Sequence, residues 1–299
     1  MELSNENIIH IKKDKVEYLQ FKKLLPYSDI INHGYVIGLD KNFRTAKTGG
    51  EELTQEEFAK AVYSYKTICD ELGLNYNDIV KTNQTHSDNV EIISEKVSEN
   101  EPDFAVYKET DGLLTDKSDL VLSTTNADCI LLLFFDPVKK VIANVHSGWK
   151  GTLQRISVKT VEKMKKEYGC NPSDIICCMC PSIRKCHFEV DKDVYEMFEN
   201  EFKDLKQIQE IIEQKNDKWN IDTILINRVI LKEAGLLEEN IIDSGICSVC
   251  NKDIIHSFRA EGASYGLSTA IISLKWMEVI YDKTKCIKNR RYNRCLCSI

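Results

Sequence analysis

The apolar run 129–135, closed by Asp136-Pro137, is the longest in this 299-residue chain, and a stretch rich in β-branched residues follows at 141–145. Its seven residues fall far short of the roughly 18 that a membrane-crossing helix requires. Bounded by turn residues, both stretches read instead as buried strands. Pieces of the same kind at 79–80, 90–93, 120–125 and 175–179 make them the body of a sheet. Short apolar stretches such as Tyr35-Val36-Ile37, ahead of Thr48-Gly49-Gly50, place further strands near the N-terminus.

Between the strands the spacing changes. Thr54-Gln55-Glu56-Glu57 has the form of a capping box, and Phe58, Val62, Tyr65 and Cys69 then repeat at helical spacing, so 54–72 is predicted as a helix. Helices are also predicted at 152–168, 194–202, 222–234 with Gly235 as its stop, and 268–280. The stretches 246–249 and 254–259 read as strands. With no internal repeat and no Pro/Ser-rich linker, 1–299 is expected to be one domain of mixed strands and helices, ending in a solvated basic tail at 283–299.

A balance of 40 Lys and Arg against 47 Asp and Glu leaves a formal charge of −7, which argues against nucleic acid or anionic lipid as a partner. The first residues lack a basic start and apolar core, so a cytoplasmic location is expected. The C-terminal Leu296-Cys297-Ser298-Ile299 does not fit prenylation. In a reducing compartment the 12 cysteines are buried apolar residues, metal ligands or nucleophiles rather than disulfide partners.

Three strand-flanking segments carry the clearest chemistry: Gln84-Thr85-His86, Ala127-Asp128-Cys129 and Val145-His146-Ser147-Gly148-Trp149. Two imidazoles and one thiolate form a zinc-type set, and three protein ligands with an open fourth position is the arrangement of catalytic zinc. His86, Cys129 and His146 are far apart in sequence, so only the fold can bring them together. The turn Ser147-Gly148-Trp149-Lys150-Gly151-Thr152 opens a helix, where backbone amides and Lys150 could hold an anion, or where the glycines simply permit the turn. A rival structural site is Cys247-x-x-Cys250, with Cys177, Cys178, Cys180, Cys186 and His187 as further donors. His10, His33 and His256 have no such neighbours and are assigned no role.

Taken together, several segments resemble the YfiH-like or laccase-domain family, associated with purine nucleoside metabolism. Gln84-Thr85-His86 is similar to its Gln-Val-His, Thr110-Asp111-Gly112 to its Thr-Asp-Gly, and Ala127-Asp128-Cys129 precedes an apolar strand as in the family. His146-Ser147-Gly148-Trp149-Lys150-Gly151 resembles His-Ala-Gly-Trp-Arg-Gly. Cys180-Pro181-Ser182-Ile183 with Cys186-His187-Phe188-Glu189-Val190 resembles Gly-Pro-x-Ile-x-x-Cys-x-Phe-Glu-Val, and Cys247-Ser248-Val249-Cys250 precedes Ser257-Phe258-Arg259. Lys150 stands where Arg is usual, Cys180 replaces Gly, Gly38 falls near a usual basic position, and a second Arg after Arg259 is missing.

The resemblance implies an α+β fold with mixed sheets sandwiched between helices in α/β/β/α layers. It implies zinc at His86, Cys129 and His146, which also serve catalysis; for substrate binding the candidates are Gln84, the amides of Gly148 and Gly151, and the basic groups Lys150 and Arg259, which could hold the phosphate. The implied activity is phosphorolysis of adenosine, inosine and S-methyl-5′-thioadenosine, so its small-molecule partners are nucleosides and phosphate. Adenosine deamination is the implied side activity, which would draw on a zinc-activated water, with Asp88 and Asp128 as the neighbouring carboxylates. Two rivals are a copper polyphenol oxidase, suggested by the family's older name, and a hydrolase editing peptidoglycan precursors through a Cys129 nucleophile.

Overall fold

The computed structural model describes residues 2–45, 53–95, 104–275, 286–289 and 294–297. The buried strand Ile130–Asp136 shows how the architecture arises. Leu131, Leu133 and Phe135 pack on one side with Ile8, Leu122 and Ile272, while Leu132 and Phe134 pack on the other with Ile156, Val161 and Met164. Both faces of a strand become apolar when one side meets a second sheet and the other meets helices. Alternation is therefore absent from the run, and burial rather than polarity sets its orientation.

That strand lies in a six-stranded sheet ordered Ile241–Asp243, Ile176–Met179, Ile130–Asp136, Val141–Ser147, Gly112–Thr115 and Val90–Ile92. Facing it is a seven-stranded sheet ordered Ile8–Lys12, Glu17–Phe21, Ile31–Ile37, Ser268–Leu274, Val121–Asn126, Ile79–Thr82 and Ala105–Tyr107. Helices Ile156–Tyr168 and Thr223–Glu233 cover the outer face of the first sheet. Helix Gln55–Leu72 covers the second, seating Tyr65, Ile68 and Cys69 against Val36, Val121 and Ile271. The layers are thus α/β/β/α. A three-stranded sheet, Glu189–Val190, Lys218–Ile221 and Ile212–Lys215, packs with helix Lys192–Phe202 around Phe198 and Phe202.

One polar group ties the two sheets. Asn144, fully buried in Val141–Ser147, donates to the carbonyls of Leu122 (3.0 Å) and Ala270 (2.8 Å) of the opposite sheet, and its Oδ1 accepts from Thr124 Oγ1. The bonds offset the cost of burying an amide and fix the relative register of the sheets.

Most predicted elements form, helix 54–72 with its capping box included. Four differ. The segment expected as helix 268–280 is the strand Ser268–Leu274, paired on both sides and buried throughout, where apolar periodicity cannot separate a core strand from a helix. Residues beyond 275 in that expectation lie outside the described residues. The helix expected at 152–168 breaks at Arg155, whose φ is 57°, into Trp149–Leu153 and Ile156–Tyr168. Neither 246–249 nor 254–259 is a strand: Cys247 makes one isolated bridge with Ser182, and Ser257 caps a helical turn Phe258–Glu261 through its bond from the Ala260 amide. Local side-chain bonds to the backbone outcompete pairing there. The basic tail lies outside the described residues, except that Cys286–Asn289 pairs antiparallel with Arg294–Cys297.

Replacing Asn144 with Ala is expected to destabilise the protein by about 1–3 kcal/mol by stranding buried acceptors. Urea unfolding of the variant beside the wild type measures it.

Candidate functional site

At one end of the two sheets, Ile79–Thr82, Val121–Asn126 and Val141–Ser147 finish and Ile130–Asp136 begins. His86 follows the first, Cys129 lies on the connection from the second to the fourth, and His146 is the penultimate residue of the third. Their ligand atoms all lie within 4.8 Å of one another. Cys129 Sγ is 3.8 Å from His86 Nε2, and the two imidazole rings meet edge to face at 5.0 Å between centroids.

The group that organises them is Asp111, which is wholly buried. One carboxylate oxygen accepts from His146 Nδ1 at 2.8 Å and from the His86 amide at 3.2 Å. The other accepts from the amides of Thr85 (3.1 Å) and Ser87 (2.7 Å) and from Ser87 Oγ (2.6 Å). Three successive amides converging on one anion form a nest, and His86 adopts a left-handed φ of 60° to complete it. With Nδ1 of His146 engaged, its Nε2 is the nitrogen left for the cluster, the carboxylate–histidine arrangement that orients metal ligands.

The charges follow from this geometry. Burial pushes the Asp111 carboxyl upward, but His146 and Ser87 outweigh it and hold it at about 2. Burial likewise opposes ionisation of Cys129 and His146, yet each stabilises the other's charge, lowering the thiol to about 6 and raising the imidazole to about 9. Both shifts run toward the charged forms, thiolate beside imidazolium.

A soft or borderline metal ion fits this donor set. Gly148 reserves the space, since a Cβ there would stand 2.5 Å from His86 Cδ2 and 3.3 Å from Cys129 Sγ. Gly148 caps the short helix Trp149–Leu153, while Gly151 is buried against Ile156 and the Ser87 carbonyl. Lys150 is exposed, with Nζ 5.5 Å from the Trp149 ring centre. Neither Gly151 nor Lys150 lines the cavity onto which the cluster opens.

That cavity, about 1120 Å³, is lined by the cluster together with Gln84, Arg44, Lys81, Phe258, Arg259 and Tyr265. Gln84 has its amide committed at both ends to the Thr125 backbone, so it braces the wall. Arg259 donates to the carbonyls of His187 (2.7 Å) and Glu189 (3.1 Å), and its own amide donates to Asp128 Oδ2 at 2.7 Å. Asp128 also accepts from Ser248 Oγ at 2.6 Å, so it faces away from the cluster. Asp88 pairs with Lys159. Both neighbouring carboxylates, Asp88 and Asp128, are thus engaged with other partners.

The sequence reading missed Asp111, Arg44 and Lys81. Asp111 stands in the quoted Thr-Asp-Gly segment, but nothing in the spacing joins it to His146. Arg44 donates to the Tyr265 carbonyl at 2.9 Å and lies 4.2 Å over that ring, and Lys81 Nζ donates to Thr45 at 2.8 Å. Of the rival donors, Cys186, His187, Cys247 and Cys250 do come together, whereas Cys177, Cys178 and Cys180 are buried in or beside the strand Ile176–Met179.

In chelator-treated protein, alkylation of Cys129 is expected to rise with a midpoint near pH 6 and to shift upward in His146→Ala. Peptide mapping after iodoacetamide treatment over a pH series reads it, and an ordinary thiol profile would contradict the ion pair.

Residues 52–275 match the family model described as multi-copper polyphenol oxidoreductase laccase. Human purine nucleoside phosphorylase LACC1 is 31% identical over 216 residues, covering 70% of this chain, which spans 46% of that relative's length. Adenosine deaminase RL5, from an unknown prokaryotic organism, is 32% identical over 205 residues, 67% of this chain and 76% of the relative. The solved structure of Bacillus licheniformis YfiH superposes with a TM-score of 0.77 at 24% identity, covering 89% of this chain and 99% of the other. A layered fold with this sequence match over most of its length places the chain in the multi-copper polyphenol oxidoreductase laccase family, the YfiH-like or laccase-domain proteins.

Proposed function

We propose that the protein is a purine nucleoside phosphorylase acting on adenosine, inosine and S-methyl-5′-thioadenosine, with zinc held by His86, Cys129 and His146. The observation that carries the reading is that one cavity joins this cluster to three cationic side chains, Arg44, Lys81 and Arg259. Phosphorolysis needs an anion site beside a place for the nucleoside. A phosphate oxygen attacks C1′ of the sugar, the bond from C1′ to the purine nitrogen breaks with its electron pair going to the base, and a proton completes the free base.

Arg259 is suited to the phosphate, because two carbonyls fix its guanidinium and leave other N–H groups for bidentate contact. Phe258, 55% exposed and edge-on to Tyr265 at 5.1 Å, offers the purine an apolar face. When bound, zinc supplies Lewis-acid polarisation of a substrate oxygen. Asp111 holds His146 in the ring orientation this requires, and the nest of 85–87 holds His86.

Human LACC1 and RL5 support nucleoside chemistry by their names, and RL5 supports adenosine deamination as the side activity. Phosphorolysis ranks first because Asp88 and Asp128 are both committed to other partners. Zinc is favoured over a multicopper centre by the imidazole count. Of six histidines, His10 and His256 bond to Glu17 and Glu261, His33 accepts from the Phe21 amide, and His187 belongs to the second cluster. The order Asp111, His146, Cys129 also favours one rival, a hydrolase with a Cys129 nucleophile, because it is the sequence of orienting acid, base and thiol. Metal content separates the two, since a zinc-bound thiolate is a poor free nucleophile.

Zinc-loaded protein is expected to release free base from adenosine and inosine only when phosphate is added, and Cys129→Ala and His146→Ala to abolish it. Release that ignores phosphate, or that survives in folded Cys129→Ala, would overturn the reading. Arg259→Ala should raise KM for phosphate roughly 10-fold or more, a charge-assisted hydrogen bond being worth about 1.5–3 kcal/mol. Initial rates at varied phosphate and fixed nucleoside measure it.

A further inference from the structure

The second cluster shares no residue with the first and is built from two separate turns. We propose that Cys186, His187, Cys247 and Cys250 form a closed, structural zinc site that staples the turn 184–188 to the turn 247–251. Cys186 Sγ lies 3.7 Å from Cys247 Sγ and 3.9 Å from Cys250 Sγ. His187 Nδ1 is 3.2, 3.7 and 3.6 Å from the sulfurs of Cys186, Cys247 and Cys250. A tetrahedron with zinc–sulfur bonds of about 2.3 Å has sulfur–sulfur edges of roughly 3.8 Å and slightly shorter sulfur–nitrogen edges; these five separations fall near those lengths, and Cys247 Sγ and Cys250 Sγ lie within 4.8 Å of each other.

Chemistry and scaffold agree with the distances. Three thiolates and an imidazole suit zinc and exclude hard cations such as calcium or magnesium, and four protein ligands leave no open position, the mark of a structural site. Each turn is held by its own bonds before any metal binds. On one side, the amides of His187 and Phe188 both donate to the Arg184 carbonyl at 2.8 Å, while Arg184 forks onto Asp243 at 2.8 and 2.7 Å. On the other, Asn251 closes the Cys-x-x-Cys turn through its amide (3.2 Å) and Nδ2 (2.8 Å) on the Cys247 carbonyl. The bridge between Ser182 and Cys247 brings the two together.

The staple has a role in the fold. His187 and Glu189, at and just after the first turn, present the two carbonyls that hold the Arg259 guanidinium. Zinc at this site therefore anchors the segment that aims Arg259 into the cavity, and its contribution is to position rather than to react.

Metal analysis of anaerobically purified full-length protein tests the proposal independently of any activity. Wild type is expected to carry about two zinc ions per chain, Cys129→Ala or His86→Ala about one, Cys250→Ser about one, and the Cys129→Ala/Cys250→Ser double variant about none. Cobalt(II) added to zinc-stripped Cys129→Ala reads the intact second cluster even if Cys250→Ser fails to fold. An intense sulfur-to-cobalt charge-transfer band with tetrahedral ligand-field bands is expected. Folded, fully reduced Cys129→Ala that binds neither zinc nor cobalt, or a disulfide among Cys186, Cys247 and Cys250 in protein purified anaerobically with zinc supplied, would overturn it.

Discussion

The buried Asp111 carboxylate is the interaction on which the site depends. A charge removed from water is costly unless it is paired and hydrogen-bonded. Here it accepts from one imidazole, three amides and a hydroxyl drawn from two separate segments. Those bonds also place the cluster's side chains: the amides curl the loop 85–87 so that His86 turns into the cluster, and the imidazole bond leaves Nε2 of His146 facing Cys129. The cost of burying one acid is thereby converted into the geometry of two histidines.

The layered fold delivers the third member of the cluster, Cys129, on a connection between the two sheets. Val121–Asn126 and Ile130–Asp136 belong to different sheets, so the short connection between them must cross the core at its open end. Asn126 stabilises the crossing by donating to the carbonyls of Cys129 (2.5 Å) and Pro181 (3.0 Å), and Asp128 adopts a φ of 85°. The consequence is that adjacent side chains serve different ends. Cys129 turns to the histidines, while Asp128 turns to Ser248 and the Arg259 amide. One turn therefore couples the side of the cavity lined by His86, Cys129 and His146 to its cationic side.

Much of this was legible in the sequence, for identifiable reasons. The run 129–135 declared a buried strand through length and bounding residues, and Thr54 with Glu57 declared a helix start through local bonds that need no tertiary context. His86, Cys129 and His146 stood out because two imidazoles and one thiol beside predicted strands make up a zinc-type donor set and fall in segments that resemble the family. Ser268–Leu274 misled because a strand buried on both faces carries no alternation. Asp111 was hidden because an Asp before Gly has an ordinary explanation as a turn residue, and its partner His146 is set opposite it only by strand pairing. The apolar stretch around Cys177 and Cys178 already marked them as buried strand residues, whereas the meeting of Cys186 and His187 with Cys247 and Cys250 depends on the tertiary bridge between Ser182 and Cys247.

The most direct test of the organising role of Asp111 is the affinity of the His86, Cys129 and His146 site for zinc in Asp111→Asn, read by chelator competition in a Cys250→Ser background and with circular dichroism to verify folding. Loss of the carboxylate removes the group that orients both histidines, and a folded variant is expected to bind zinc about 10- to 100-fold more weakly. Unchanged affinity in a folded Asp111→Asn protein would contradict the claim that this one buried acid builds the site.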